Sequence, residues 1–316
     1  MKLSLVIPCY NEENNVARFY EETEKAFAEA DFDWEYVFVN DGSRDGTLAA
    51  LKQLHATKDG NFRIVSFARN FGKESAIFAG LSNATGELTC IIDADLQQRP
   101  EVVLQMVQIL EADPEIDCVA AFQQERKESK VLSWFKDKFY KVINAMTTVP
   151  FTNGASDFRT FRAPMREAIL QMKEYHRFSK GIFSWVGFNV KFIPYEVMQR
   201  ESGESKWSFI KLFKYAIEGI VAFTTTPLSF ATVLGTLSTA GACIYYLVAF
   251  ILALCGYGRS AYGLLTATMF FVGGLIMLCI GIVGMYLSRI YTQVKKRPIY
   301  LVKEILTKEK DEKEKV

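Results

Sequence analysis

Histidine is almost missing from this chain: His55 and His176 are the only two in 316 residues. A metal centre built on imidazoles is thereby excluded. The six cysteines (Cys9, Cys90, Cys118, Cys243, Cys255, Cys279) show no CxxC spacing, which argues against a disulfide framework or a zinc site. An excess of either charge is lacking too. Lys and Arg total 37 against 36 Asp and Glu, so nothing in the balance points to nucleic acid. No internal repeat is present. Met1–Pro8 is too short an apolar run for a signal peptide, and acidic residues follow at once, so the N-terminal domain is expected in the cytosol.

Charge is also missing locally. No charged residue occurs at 219–258 or at 260–288. Each stretch exceeds the roughly 20 apolar residues that cross a bilayer, and spans are predicted near Leu228–Leu254 and Leu264–Leu287. Lys206, Lys211 and Lys214 precede the first span, Arg289, Lys295, Lys296 and Arg297 follow the second, and only Arg259 lies between them. The positive-inside tendency then puts both ends in the cytoplasm and the link Cys255–Gly263 outside. The expected organisation is a cytosolic domain over 1–226, a two-helix membrane region over 227–290 and a charged cytosolic tail over 291–316. Its segment Lys303–Val316, alternating Lys and Glu, is expected to be a solvated helix or disordered.

What is present in the first 120 residues is alternation. Leu3–Pro8, Tyr36–Asn40, Arg63–Phe67, Leu88–Ile92 and Val119–Phe122 are short and rich in β-branched or aromatic residues. Helical patterns fall between them at Val16–Ala30, Leu48–Thr57, Ser75–Ala84 and Pro100–Ala112. That order predicts an α/β fold with a mostly parallel sheet covered on both faces. Farther on, Lys130–Thr147 and Ser205–Phe223 read as basic amphipathic helices with aromatics. The second is expected in the membrane interface; the first fits the interface or the flank of the sheet equally well.

Chemistry collects at the strand ends. Asp93-Ala94-Asp95-Leu96-Gln97 follows the apolar run Leu88–Ile92 and offers hard oxygen ligands suited to Mg²⁺ or Mn²⁺, or else a plain polar turn. Pro8-Cys9-Tyr10-Asn11-Glu12 ends the first strand and Asn40-Asp41-Gly42-Ser43 the second. Asp41 there can accept hydrogen bonds from a ribose hydroxyl or a base N–H, while Asp45 or Thr47 can cap the helix that follows. Arg69-Asn70-Phe71-Gly72-Lys73 ends the third, where Lys73 meets donor phosphate or is simply solvated. Four successive polar strand ends make a binding crevice by the switch-point rule of open α/β sheets.

These motifs, in this order and spacing, resemble the family 2 glycosyltransferases, which have the GT-A (Rossmann-like nucleotide-diphospho-sugar transferase) fold. His176-Arg177-Phe178 with Gly181, Trp185, Val186 and Gly187, then Arg200-Glu201-Ser202-Gly203-Glu204-Ser205-Lys206-Trp207, narrow the resemblance to polyprenyl-phosphate glycosyltransferases, which include dolichol-phosphate mannose synthases and bactoprenol glucosyltransferases. Thr224-Thr225-Thr226-Pro227-Leu228 before two spans is similar to the bactoprenol branch. The resemblance implies that Pro8, Tyr10, Glu12 and Asp41 hold the nucleoside, and that Asp93, Asp95 and Gln97 surround a metal and the diphosphate. It implies that Arg126, Arg200, Ser205 and Lys206 bind the lipid phosphate, and that Asp157 stands near the reacting sugar. It also implies transfer of one sugar to undecaprenyl phosphate with inversion, from UDP-glucose as first choice, and a homotetramer. UDP-galactose, UDP-N-acetylhexosamine and GDP-mannose stay open as donors. One departure is visible. Relatives usually continue Asp-Leu-Gln with Asp-Pro-Pro, whereas Gln98-Arg99-Pro100 stands here.

Two other readings compete. A processive polysaccharide synthase shares the nucleotide site but usually carries Gln-x-x-Arg-Trp, which Gln199-Arg200-Glu201-Ser202 does not supply. A membrane scaffold or glycolipid carrier would need a polar pathway that two uncharged spans do not offer.

Overall fold

Alternating apolar side chains at the start of the chain dictate the centre of the molecule. In β1 (Lys2–Cys9), Leu3, Leu5, Ile7 and Cys9 point to one face, and Ser4 and Val6 to the other, all buried. A strand buried on both sides needs a layer of helices above and below. The computed structural model describes residues 1–123, 155–196, 226–255 and 262–308. After β1 come α1 (Val16–Ala26), β2 (Asp33–Asn40), α2 (Thr47–Thr57), β3 (Asn61–Phe67), α3 (Lys73–Asn83), β4 (Leu88–Ile91), α4 (Pro100–Ala112) and β5 (Cys118–Gln123). All five expected strands and all four expected helices are found. Beyond them lie β6 (Ala155–Arg162), α5 (Ala163–Gln171), α6 (Ser179–Trp185) and β7 (Val190–Tyr195). Two long helices, α7 (Thr226–Leu254) and α8 (Tyr262–Val294), precede a last strand, β8 (Val302–Lys308).

The eight strands form one sheet in the order β7-β5-β6-β4-β1-β2-β3-β8. Its centre, β4-β1-β2-β3, is parallel. β5 also pairs in parallel with β7, whereas β6 runs antiparallel to β4 and β5, and β8 antiparallel to β3, so parallel pairs predominate, as expected, in a sheet that is mixed. One face carries an aromatic stack, Tyr36 lying on Phe38 and Phe62 at centroid separations of 5.8 and 5.3 Å, packed with Phe19 and Phe27. Each such ring contributes roughly 1.5–3 kcal/mol through burial. On the other face α3 comes very close to β1. A Cβ on Gly80 would stand 2.2 Å from Val6 Cγ1, so glycine at this position lets the helix seat and fixes where its first turn ends up.

The described residues fall into two units: the sheet with 1–123, 155–196 and 298–308, and a helical unit with 226–255 and 262–297. α7 and α8 are long and apolar enough to cross a membrane, and most of their described side chains are exposed. The amphipathic segments expected at Lys130–Thr147 and Ser205–Phe223 lie outside the described residues, as does most of the link between the long helices.

The tail requires a correction. Val302–Lys308 is neither a solvated helix nor disordered but an edge strand, with Ile64 opposite Leu306 and Phe62 opposite Lys308. Its Lys and Glu side chains fit because an edge strand meets water: Lys303 is exposed, Leu306 packs on the core, and Glu304 reaches Lys52 at 2.8 Å. Tyr300, just before it, stacks on Phe67 at 4.8 Å.

Candidate active site

The parallel strands β1, β2, β3 and β4 all end on one edge of the sheet, and the polar clusters follow those ends. The loops after β1 and β2 are tied together. Asn11, at φ 58°, donates its N–H to Ser43 Oγ (3.1 Å) and accepts the Arg44 N–H on Oδ1 (3.0 Å). Glu12 donates its N–H to Thr47 Oγ1 (2.8 Å), and its side chain accepts from Asn15 Nδ2 (2.5 Å). Asp45 Oδ1 accepts the Thr47 N–H (3.1 Å) just before α2, a local turn bond; the N-cap of α2 is Gly46, which makes no side-chain cap bond, so the expectation that Asp45 or Thr47 caps the helix is corrected.

Asp41 is buried, and its two oxygens accept the N–H groups of Phe71 (2.6 Å) and Gly72 (2.9 Å). Burial pushes its carboxyl up, against those two bonds and Arg69, which pull it down. In this structure Asp41 therefore holds the loop after β3 against the end of β2. Gly42 makes the approach possible: at φ +59° it lies so near that loop that a Cβ would sit 2.2 Å from the Arg69 carbonyl carbon. Tyr10 is exposed at the same edge, and Pro8 is half-buried near the end of β1.

The loop after β3 then delivers Lys73, the first residue of α3, into the centre of the crevice. Its ammonium stands 2.7 and 2.8 Å from the two oxygens of Asp93 and 3.6 Å from Asp157 Oδ2. The alternative of a simply solvated Lys73 is thus set aside. Burial lowers its pKa, yet Asp93, Asp157 and Asp95 together hold it above the ordinary lysine value. Asp157 arrives on β6, whose antiparallel register sets Arg159 opposite Ile91, so the start of that strand runs past the end of β4 where Asp93 sits. Burial opposes the charge of Asp157, but Lys73, Lys180 and Arg159 hold its carboxyl below the usual value. Its Oδ1 has no hydrogen-bond partner among the described residues. Asp93 goes the other way: burial raises it, and Asp157 and Asp95 add to the rise while Lys73 opposes it.

Gln98, the residue that departs from the usual pattern, completes the turn. Its Oε1 accepts the Asp93 N–H (2.9 Å) and its Nε2 donates to Asp93 Oδ2 (3.2 Å). Asp95 Oδ1 accepts the Gln97 N–H (3.1 Å), and Leu96 between them takes φ 58°, a left-handed conformation uncommon for such a residue.

The residues expected to hold a metal fit one. Asp93, Asp95 and Gln97 supply oxygen donors of the kind Mg²⁺ and Mn²⁺ take, and burial raises the Asp93 carboxyl, with the charges of Asp157 and Asp95 adding to the rise. Among the described residues no group of three or more His, Cys, Asp or Glu could hold a metal ion.

Sequence reasoning passed over four residues. Arg159 is buried, stacks on Phe183 at 3.8 Å and donates to Ser156 O at 2.7 Å. Glu74 accepts the N–H (2.9 Å) and the hydroxyl of Ser179, and Lys180 follows. Burial, then the charge of Asp157, pushes Glu74 up to about 7. No local pattern signals the last three, since 105 residues separate Glu74 from Ser179. Arg126, Arg200, Ser205 and Lys206 lie outside the described residues.

The site can be compared with known proteins. Residues 4–171 match the model of Glycosyl transferase family 2. A Bacillus subtilis relative, CsbB, provisionally named a glycosyltransferase, is 38% identical over 98% of this chain and 93% of its own. The prophage bactoprenol glucosyl transferase homolog of Escherichia coli is 37% identical, covering 96% of this chain and 99% of that one. The bactoprenol glucosyl transferase of Shigella phage SfII is also 37% identical, over 96% and 98%. Among solved structures, mannosyl-3-phosphoglycerate synthase from Rubrobacter xylanophilus aligns over 70% of this chain and 73% of its own at TM-score 0.50 and 18% identity, a likeness of fold.

Proposed function

Because the chain belongs to glycosyl transferase family 2 and is a glycosyltransferase, we propose that it transfers a single sugar from a nucleotide-sugar to a polyprenyl phosphate at the cytosolic face of a membrane. UDP-glucose is the proposed donor and undecaprenyl phosphate the proposed acceptor. The observation that carries this reading is the crevice itself: Lys73, Asp93 and Asp157 meet at the carboxyl edge of the sheet, with Asp95 close enough to act on their charge. The two relatives named for bactoprenol glucosyl transfer support the lipid acceptor, and α7 and α8 support its membrane location. In this reading the charged tail and the sheet share the cytosol.

In the mechanism, Pro8, Tyr10 and Glu12 line the nucleoside end of the crevice, and Asp41 keeps its wall closed by holding Phe71 and Gly72. Asp93, Asp95 and Gln97 would hold Mg²⁺ or Mn²⁺ beside the diphosphate. A divalent cation there stabilises the charge that develops on the departing nucleotide. Lys73 adds a second positive charge on the same side and moves between the carboxylates and the phosphate oxygens. The acceptor phosphate is already anionic at neutral pH and needs placement more than deprotonation. Arg126, Arg200, Ser205 and Lys206 are the proposed groups for that, with arginine matching phosphate oxygens through its planar fork. Attack opposite the leaving group inverts the anomeric carbon. Asp157, ionised and with one oxygen uncommitted, orients a sugar hydroxyl or the acceptor.

The test is a screen of radiolabelled UDP-glucose, UDP-galactose, UDP-N-acetylhexosamine and GDP-mannose with the purified full chain and undecaprenyl phosphate. A lipid carrying one sugar supports the proposal. A long polymer would turn the reading to a processive synthase, and no product with any donor would overturn it.

A further inference from the structure

The turn between β4 and α4 is held from both sides. Before it, the Ile92 N–H donates to Val6 O of β1 at 3.1 Å. After it, Pro100 and Val103 of α4 are buried. Between these fixed ends Ala94 is buried, Leu96 takes φ 58°, and Asp95, Leu96 and Gln97 are half-buried. The side chain of Gln98, 7% exposed, closes the turn onto its first residue. Its Oε1 accepts the Asp93 N–H at 2.9 Å, and its Nε2 donates to Asp93 Oδ2 at 3.2 Å. That pair of bonds needs a side chain with both an acceptor and a donor; an ionised carboxylate has no hydrogen to give.

The two oxygens of Asp93 are thereby made unequal. An ionised carboxylate oxygen takes about two donors. Oδ2 already has two, Gln98 Nε2 and the Lys73 ammonium at 2.8 Å. Oδ1 faces the same ammonium at 2.7 Å and no other donor among the described residues. When Lys73 turns to phosphate, the Gln98 bond is the one that stays, and it lies on Oδ2. We propose that Gln98 is a positioning residue for Asp93: it occupies Oδ2, ties the carboxylate to its own backbone and leaves Oδ1 as the oxygen offered to a divalent cation. This rests on the reading that a cation binds beside Asp93, Asp95 and Gln97, while the brace itself does not. The effect of Gln98 on the cation passes through Asp93, as that of an outer partner that orients a ligand.

The experiment uses the full chain in detergent with UDP, at about pH 8, where a glutamate side chain is ionised. It has two readouts, neither of which needs turnover: hydrogen exchange at the Asp93 amide, and Mn²⁺ affinity by electron paramagnetic resonance. Gln98→Met removes both bonds. It is expected to speed exchange at Asp93 about 5–10-fold, the loss of one ordinary hydrogen bond, and to weaken Mn²⁺ about 10–100-fold, the scale for losing an outer partner of a metal ligand. Gln98→Glu keeps an acceptor of the same reach but turns a carboxylate, not a donor, toward Oδ2. Exchange is expected to stay near the parent, while Mn²⁺ weakens about 10-fold. Charge alone predicts the opposite sign, since one more carboxylate beside a divalent cation tightens binding. Unchanged exchange in Gln98→Met overturns the brace. Mn²⁺ affinity in Gln98→Glu that matches or exceeds the parent's overturns the positioning of Asp93, as does fast exchange in both variants, because the turn then opens whatever faces Oδ2. Should Gln98→Met fail to fold, Gln98→Asn, with the same groups one methylene short, takes its place with the same criteria. A parent protein that binds no Mn²⁺ contradicts the proposed metal site alone, and the exchange result still decides the brace.

Discussion

Both edges of the sheet bury carboxylates, and they treat them in opposite ways. At the amino edge, Glu35 of β2 is 4% exposed and fully provided for. It accepts from the Ser4 hydroxyl at 2.5 Å, the Thr85 N–H at 2.7 Å and the Thr85 hydroxyl at 2.9 Å, and pairs with Lys2 at 2.9 Å. Burial works against its charge, yet these partners hold it below the ordinary value. At the carboxyl edge, Asp93 and Asp157 share one ammonium, Asp157 keeps an oxygen without a hydrogen bond among the described residues, and burial pushes both Asp93 and Glu74 up. A satisfied network stabilises a fold and has nothing left to give a ligand. Carboxylates that share one ammonium cost stability, and in the proposed reading a metal-bound nucleotide-sugar would relieve that cost. That asymmetry marks which edge works, as stability and function trade against each other at sites.

Four substitutions break or sharpen the contrast. Asp95→Ala should abolish transfer, a fall of about 10³-fold or more for loss of a group that stabilises developing charge, with thermal unfolding unchanged; appreciable turnover would remove the carboxyl edge from the chemistry. Lys73→Met should slow single-turnover transfer by about 10²-fold, because Asp93 and Asp157 then face each other without their shared cation, and a near-normal rate would make Lys73 dispensable. Glu35→Gln should cost about 2–4 kcal/mol of stability in denaturant titration, the scale for disturbing a buried charged network, while transfer per folded molecule stays unchanged. Its sign with pH is fixed: a lowered folded value means stability that is present above the ordinary 4.5 and lost as pH falls through the lower value, so the variant should unfold less steeply in acid. Glu74→Gln should act the other way and least. The folded value near 7 stands above the ordinary 4.5, so the group's favourable contribution is complete below 4.5 and lost as pH rises through about 7. Replacing it should raise stability by about 1 kcal/mol at pH 9, after allowance for solvent screening, and leave it unaltered at pH 4.5. A loss at pH 9 would contradict the account of that edge.

Much of this was legible before any coordinates. Strands β1 to β5 and their helices followed from short apolar runs alternating with amphipathic ones, and the crevice followed from polar residues at the strand ends. The later strands were hidden by their charges. Asp157, Arg159 and Arg162 break the apolar pattern of β6, because Arg159 stacks on Phe183 and Arg162 donates to the Ile116 and Leu110 carbonyls. β8 reads as a charged tail because one side of an edge strand is wet. Within the site, the partners of Asp41, Lys73 and Glu74 are set by loops meeting across long sequence separations, which periodicity does not record. Gln98 stands where relatives usually carry Asp, and in the structure it is a two-way brace for Asp93.

The central claim is that this edge joins a metal-held sugar nucleotide to an isoprenoid phosphate. The most direct measurement is label transfer from UDP-glucose to undecaprenyl phosphate by the purified chain, stripped of divalent cations and then titrated with Mn²⁺ or Mg²⁺. The account predicts a one-sugar lipid that forms only as the cation is restored, and none with Asp95→Ala at any concentration. Full transfer in the presence of EDTA would contradict it.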